Sequence, residues 1–223
     1  MFNLVVLATR NQNKVKEFKG LLSEFPIEIR CLADFGPLPE VIENGQTFDD
    51  NAYKKAFHTA RILGIPAIAD DSGIVVEALE GKPGVRSARF AGEHATDTEN
   101  CAKLLREMKG VKNRKASFVC VLSIAVPGGP ALTYEASCDG VILDSPRGNN
   151  GFGYDPIFYY EPLKKTFAEL PIEEKNQVSH RGKVLAEVKE EFDKILKWLE
   201  ARMLEELPAQ PNHREFEDND WSK

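Results

Sequence analysis

The chain has 223 residues, with 29 basic and 35 acidic side chains that leave a net charge of −6. A chain of this length can bury about 70% of its unfolded surface, so it needs neither disulfides nor a structural metal to fold. Its 42% hydrophobic and 29% charged content excludes a disordered chain, a collagen-like fibre and a disulfide scaffold, and the acidic balance argues against a stable nucleic-acid partner.

The cysteines at 31, 101, 120 and 138 form no CxxC pair and sit in apolar contexts, which predicts buried free thiols. No basic segment precedes the first apolar run and no apolar stretch approaches membrane-spanning length. The expectation is a cytoplasmic protein without a membrane partner.

In chain order, residues 4–9 read as a buried strand, followed by helical spacing at Val15, Phe18, Leu21, Leu22 and Phe25. Alternation at Ile27, Ile29 and Cys31 predicts a second strand, and residues 34–46 a long loop. Thr47 is placed to cap a helix whose alanines at 52, 56 and 60 share a face with Leu63. Residues 67–70 and 73–79 read as two short apolar runs split by Asp71-Ser72. Thr96 and Glu99 form a capping-box pair ahead of a helix carrying Cys101, Leu104, Leu105 and Met108. Two long strands, 116–126 and 132–143, are joined through Pro127-Gly128-Gly129-Pro130, a hairpin signal. Ser179 opens a final helix with 3–4 spacing from Leu185 to Met203. Alternating strand and helix patterns predict a single α/β domain over residues 1–207, and residues 208–223 read as a polar, acidic, flexible tail.

Four clusters carry polar and glycine residues where ligands bind sheet proteins. Thr9-Arg10-Asn11-Gln12-Asn13-Lys14 spans a strand-to-helix turn, whose free amides and positive helix end suit phosphate; the bland alternative is a helix start with a solvated lysine. It is neither GxxxxGK[ST] nor GxGxxG. Ala69-Asp70-Asp71-Ser72-Gly73 sets two adjacent carboxylates at a strand end, on opposite faces if the strand continues. One can hold a hard cation or take a proton from water, and the other can brace the loop. The competing account is a turn satisfied by Asp and Gly. Glu40 and Glu43 lie in a proline- and glycine-bounded loop, where Glu43 can supply a second metal ligand, and Lys55 lies near the alanine face of its helix. Each alone reads as a solvated charge. Gly148, Gly151 and Gly153 bracket Phe152-Gly153-Tyr154-Asp155, and Ser179-His180-Arg181 opens the last helix. An aromatic in a glycine-rich loop suits stacking on a base, with a core plug as the rival account. An arginine fork donates to carbonyls or phosphates, while Lys175 alone resembles a surface charge. Together these clusters suit a magnesium-dependent enzyme acting on a nucleotide.

In the same order the clusters resemble the inosine triphosphate pyrophosphatase family. The matching stretches are Thr9-Arg10-Asn11…Lys14, Glu43 to Phe48 with Asn51-Ala52…Lys55-Ala56, Ala69 to Gly73, Pro83-Gly84-Val85…Ser87-Ala88-Arg89, Phe152 to Pro156, and Ser179 to Lys183. Each is weak alone; six in fixed order are specific. The resemblance implies a mixed α/β fold with a long central sheet and two lobes around an active-site cleft, usually assembled as a homodimer. It implies hydrolysis of non-standard purine nucleoside triphosphates (ITP, dITP, XTP) to the monophosphate and pyrophosphate, with Mg2+. On that resemblance Thr9, Arg10, Asn11, Gln12, Asn13 and Lys14 hold the triphosphate, and Lys55 faces the phosphates. Glu43 and Asp71 serve the metal, and Asp71 is also the proton acceptor. Ser72 touches substrate, while Phe152, Gly153, Tyr154, Asp155, Lys175, His180 and Arg181 enclose the base and its neighbouring groups. Three other readings compete with this one: a related pyrophosphatase for modified pyrimidines, a nucleotide-binding regulator without turnover, and a nucleic-acid-binding module.

Overall fold

A computed structural model describes residues 4–205, apart from the side chains of Asn13, Glu17 and Leu21; the tail expected over 208–223 lies outside the described residues. Seven strands form one mixed sheet in the order β2-β1-β3-β4-β5-β6-β7. β1 (Leu4–Leu7) runs parallel to β2 (Glu28–Cys31) and to β3 (Ala67–Val76). β3 continues antiparallel into β4 (Lys115–Ala125), β5 (Ala131–Ile142), β6 (Phe158–Tyr160) and β7 (Lys165–Thr166). The expected α/β architecture, a long mixed sheet with flanking helices, is thus present.

The parallel strands need crossovers, and helices supply them. α1 (Gln12–Leu21) links β1 to β2 and α2 (Phe48–Leu63) precedes β3. α2 begins where Thr47 Oγ1 accepts from the Asp50 N–H at 3.0 Å, while the Asp50 carboxylate accepts from the Thr47 N–H at 3.2 Å. It ends at Gly64, whose φ of 65° suits a residue without a Cβ. Ala52, Ala56 and Ala60 are each fully buried, and this smallness seats the helix closely on β1, β3 and β4. α3 (Asp97–Glu107) starts with the expected Thr96–Glu99 box. α4 (Ile172–Val178) and α5 (His180–Glu205) complete the layers.

The interior is divided. One core gathers Val5, Leu7, Val15, Phe18, Ile68, Leu122 and Ile124 against Val188, Phe192, Ile195 and Leu199 of α5. A second gathers Ile74, Val76, Leu104, Met108, Phe118, Phe158 and Phe167. β3 therefore leaves one core after Ile68 and enters the other at Ile74, and Asp70, Asp71 and Ser72 occupy the interval. The expected break at Asp71-Ser72 is not there. β3 is one strand, because β4 pairs with it without interruption from Ala67↔Ala125 to Val76↔Ala116. On its other edge β1 reaches only to Leu7↔Ile68 and residues 82–87 cover Gly73 to Val76, so between them the edge from Ala69 to Ser72 borders a cleft between the two cores. The carboxylates lie in mid-strand rather than at a strand end, and the cleft exists because the neighbouring strand stops.

Further differences are local. The first strand ends at Leu7, and Leu22 and Phe25 fall beyond α1 yet still pack into the first core. The helix α4 and the short strands β6 and β7 have too few residues to show a period. All four cysteines are free and buried. Burial pushes the thiol of Cys101 up to about 12 and those of Cys120 and Cys138 up to about 11, which makes them inert packing groups.

Candidate active site

Strand alternation sends the side chains of Asp70 and Asp71 to different partners. Asp71 Oδ1 lies 2.7 Å from Lys55 Nζ, and the Asn51 amide donates to Asp71 Oδ2 at 3.4 Å. Asn51 and Lys55 are one helical turn apart on the face of α2 turned to β3, so both reach the same carboxylate. Lys55 Nζ is also 3.7 Å from Glu43 Oε2, and Arg89 Nη2 donates to the Glu43 carbonyl at 3.1 Å, tying down its loop. Burial raises the Asp71 pKa above the usual carboxylate value, and Lys55 only partly offsets this. Burial alone would lower the Lys55 pKa, but attraction by Asp71 and Glu43 outweighs it and raises it.

Asp70 lies 2.8 Å from Lys14 Nζ through Oδ1 and 3.1 Å from Arg181 Nη2 through Oδ2. Burial pushes its pKa up, but Lys14 and Arg181 prevail and hold it far below the carboxylate range. The turn before α1 is shaped by Thr9 Oγ1, which accepts from the Asn11 N–H at 3.1 Å, and by Asn11 Oδ1, which accepts from the Lys14 N–H at 3.3 Å.

At the far end, Asp155 and Lys175 form a buried ion pair, and Asp155 Oδ2 also accepts from the Phe152 N–H at 2.9 Å. Burial raises the Asp155 pKa against the pull of Lys175. Lys175 Nζ lies 4.9 Å and Arg181 Cζ 5.6 Å from the centroid of the Phe152 ring. Phe152 is half-buried, whereas Tyr154 is buried in the second core and donates its hydroxyl to the Ser87 carbonyl at 2.8 Å. Of the two aromatics, Phe152 is therefore the open face and Tyr154 the plug. His180 stacks on Phe118, with centroids 4.7 Å apart and planes at 8°. Burial, together with Arg181 and Lys175, lowers its pKa well below the usual imidazole value, so it is neutral.

A cavity of about 330 Å³ joins these groups; its wall includes Lys14, Lys55, Asp71, Phe152 and Arg181. Asn11, Glu43, Ser72, Gly153, Tyr154, Asp155, Lys175 and His180 line it too. Thr9 and Arg10 line an adjoining groove of about 450 Å³ with Glu40, and Lys14, Glu43 and Lys55 border both spaces. Gln12 is exposed at the start of α1 and borders neither space, and the Asn13 side chain is outside the described set. Lys175 is not the surface charge that its local sequence suggests: its side chain is 7% exposed. Asn51, Asp97, Ser87 and Phe118 have no role that the sequence alone suggests, yet all but Asn51 line the cavity and Asn51 holds Asp71. For Asn51 a signal existed, a polar residue four positions before Lys55 on a small-residue face.

A mixed sheet opened at a strand edge, with cations and carboxylates at one end of the opening and an aromatic at the other, defines an α/β protein built for an anionic ligand with a planar group. The comparisons with known proteins agree. The model of the Ham1 family matches residues 5–191, and the chain belongs to that family. It is 66% identical over 223 residues, all of both chains, to a protein of Desulfotalea psychrophila named dITP/XTP pyrophosphatase. It is 59% identical over 203 residues, 91% of this chain and 88% of the relative, to one of that name from Syntrophobacter fumaroxidans. Among solved structures, a HAM1 protein from Coxiella burnetii superposes with a TM-score of 0.83 at 40% identity, covering 86% of this chain and 100% of that one. The Staphylococcus aureus Ham1 protein gives 0.80 at 38% identity, covering 86% and 99%.

Proposed function

We propose that the protein hydrolyses non-standard purine nucleoside triphosphates, such as dITP, XTP and ITP, to the monophosphate and pyrophosphate. The names of the relatives support the substrate class. The observation that carries the reading is the seat of Lys55 between Asp71 and Glu43, inside one cavity that also holds Lys14 and Phe152.

In this reading the triphosphate lies along the turn of Thr9 to Lys14, where backbone amides and the α1 terminus complement its charge. Lys14 and Lys55 offset the negative charge that builds up as the bond breaks. Asp71 accepts the proton of a water that attacks the α-phosphorus, and the bond to the bridging oxygen breaks to release pyrophosphate. A carboxylate whose pKa burial has raised is a better proton acceptor than an exposed one. Phe152 stacks on the base, and Arg181 and neutral His180 border the purine edge.

Glu43 and Asp71 would hold a magnesium ion, since both present hard carboxylate oxygens to the cavity. Two protein carboxylates, with phosphate and water oxygens completing the shell, suit this ion. When bound it would neutralise phosphate charge and orient the attacking water. Homodimer assembly, implied by the resemblance, and a cytoplasmic setting, expected from the sequence, belong to the same proposal.

The test is product analysis with magnesium and ITP, XTP, ATP or GTP, assaying pyrophosphate and orthophosphate separately. Monophosphate and pyrophosphate from ITP and XTP, with ATP and GTP largely spared, are expected. Orthophosphate instead would move the scissile bond, and preference for a modified pyrimidine triphosphate would move the substrate class. Binding without turnover would make the protein a nucleotide sensor.

A further inference from the structure

Asp70 is buried, with a side chain 2% exposed, and it belongs to neither the carboxylate pair at Lys55 nor the pair at Lys175. Its partners come from distant parts of the chain. Oδ1 takes Lys14 from the first turn of α1; Oδ2 takes Arg181 from the first turn of α5, with Nη2 at 3.1 Å and Nε at 3.3 Å. The Ser72 hydroxyl donates to the same Oδ2 at 3.1 Å. Lys14 belongs to the turn end of the cavity, and Arg181 lies over the Phe152 ring at the aromatic end. One carboxylate on the rigid central strand thus fixes both cations.

We propose that Asp70 is a positioning residue that sets the phosphate grip and the base grip in register, so that a change at either end is felt at the other. The proposal rests on the reading of the site as a nucleotide site. Asp70 borders the groove that Lys14 and Lys55 also line, and its role is to hold the two cations rather than to bind substrate. Burial removes competing water, so both cations are held along fixed directions, as preorganised recognition requires. The substitution Asp70→Asn removes the charge and turns one oxygen into a donor, which must then face either Lys14 or Arg181.

The experiment is calorimetric titration of wild type and Asp70→Asn with pyrophosphate, which probes the phosphate end, and with inosine monophosphate, which probes the base end. Thermal unfolding is followed in parallel. Both affinities are expected to fall by about tenfold, the scale of a lost charge-assisted hydrogen bond. Retention of either within about twofold of wild type in the folded variant overturns the proposal. If Asp70→Asn does not fold, Lys14→Gln decides, because Lys14 is partly exposed at 18%. Its loss is then expected to change the ratio of kcat/KM for ITP to that for ATP by at least about threefold, although both substrates carry the same phosphates. A proportional loss for both overturns coupling through Asp70, and a purely structural role would give that result. Wild type that binds both probes but releases no pyrophosphate from ITP sinks the pyrophosphatase reading and leaves the Asp70 proposal to the titrations. Wild type that binds neither probe sinks both.

Discussion

Lys55 Nζ sits 2.7 Å from Asp71 Oδ1 beside an α2 face of small buried residues, Ala52, Ala56 and Ala60 with Asn51 and Thr59. A long cation on a small-residue face reaches across to β3 because nothing bulky intervenes. The contact puts a raised carboxylate and a lysine side by side in the cleft, the pairing expected of a base beside a phosphate-directed charge.

Replacing Asp71 with Asn keeps the shape and removes the proposed proton acceptor. Turnover is expected to fall by at least about 10²-fold, with circular dichroism unchanged. Steady-state pyrophosphate release on the purified variant checks this, and near-wild-type rates would take Asp71 out of the mechanism. The sign of the pH dependence follows from burial. In the proposed mechanism catalysis needs the ionised form, and burial raises the pKa of Asp71 above that of an exposed aspartate. Activity is therefore expected to fall as pH falls through the titration of Asp71, which bound magnesium draws down from its metal-free position, and the acid limb should disappear in Asp71→Asn. In stability terms a raised pKa favours folding only below the unfolded value and loses that contribution as pH rises through the folded one, so ionised Asp71 does not stabilise the fold at neutral pH.

Gly73 lies where residues 84–87 close over the edge of β3. A Cβ there would come within 2.5 Å of the Gly84 carbonyl and of Ser87 Oγ, and 2.8 Å of Phe48. The Gly84 oxygen is backbone and cannot swing aside, and Ser87 Oγ accepts from the Ile74 N–H at 2.9 Å. Gly73→Ala is therefore expected to cost about 1–3 kcal/mol, the scale of overpacking, and to displace the cavity wall. Denaturant unfolding with a parallel KM measurement tests it; unchanged values of both would mean that the segment moves freely.

Where a residue's role depends on near neighbours, the chain shows it openly. Thr47 and Glu99 announce helix starts because capping is a matter of three residues, and the alanines at 52, 56 and 60 announce a close-packed face. The hairpin between β4 and β5 follows from Pro127 to Pro130 for the same reason. Lys175 is different: its burial depends on Asp155, twenty positions away, and on Phe167, whose ring centroid lies 5.7 Å from its ammonium. The continuity of β3 through Asp71-Ser72 is likewise hidden, since polar residues read as a break unless β4 is known to pair beside them. Local pattern also leaves Phe152 and Tyr154 equivalent, and only the second core separates them. The candidate site was legible chiefly through the order of its six motifs, whereas which carboxylate meets which cation is tertiary information.

Arg181 supplies a test of purine choice. Inosine and xanthosine carry a carbonyl at position 6 where adenosine carries an amine, and a guanidinium can donate only to the former. A mismatched donor costs roughly 1–3 kcal/mol, or about ten- to hundredfold in discrimination. Arg181→Ala is expected to lower kcat/KM for ITP more than for ATP and so to narrow the ratio between them. Equal losses for the two substrates would assign the choice to another donor, such as a backbone amide of the Phe152 loop.

Asp155 and Lys175 are both nearly excluded from water, with side chains 3% and 7% exposed. Breaking such a pair leaves a buried charge without its partner, which costs about 3–5 kcal/mol, whereas replacing both members costs much less. Asp155→Asn and Lys175→Met are therefore each expected to destabilise strongly, and the double variant to recover most of the loss. The Phe152 loop should move in the single variant at position 155, because Asp155 also accepts the Phe152 N–H. Equilibrium unfolding of the three variants at pH 7 gives the coupling energy from the double-mutant cycle. Additive losses would mean that the two groups act independently, and the aromatic end of the cavity would then be held by packing of Tyr154 and Phe167 rather than by the ion pair.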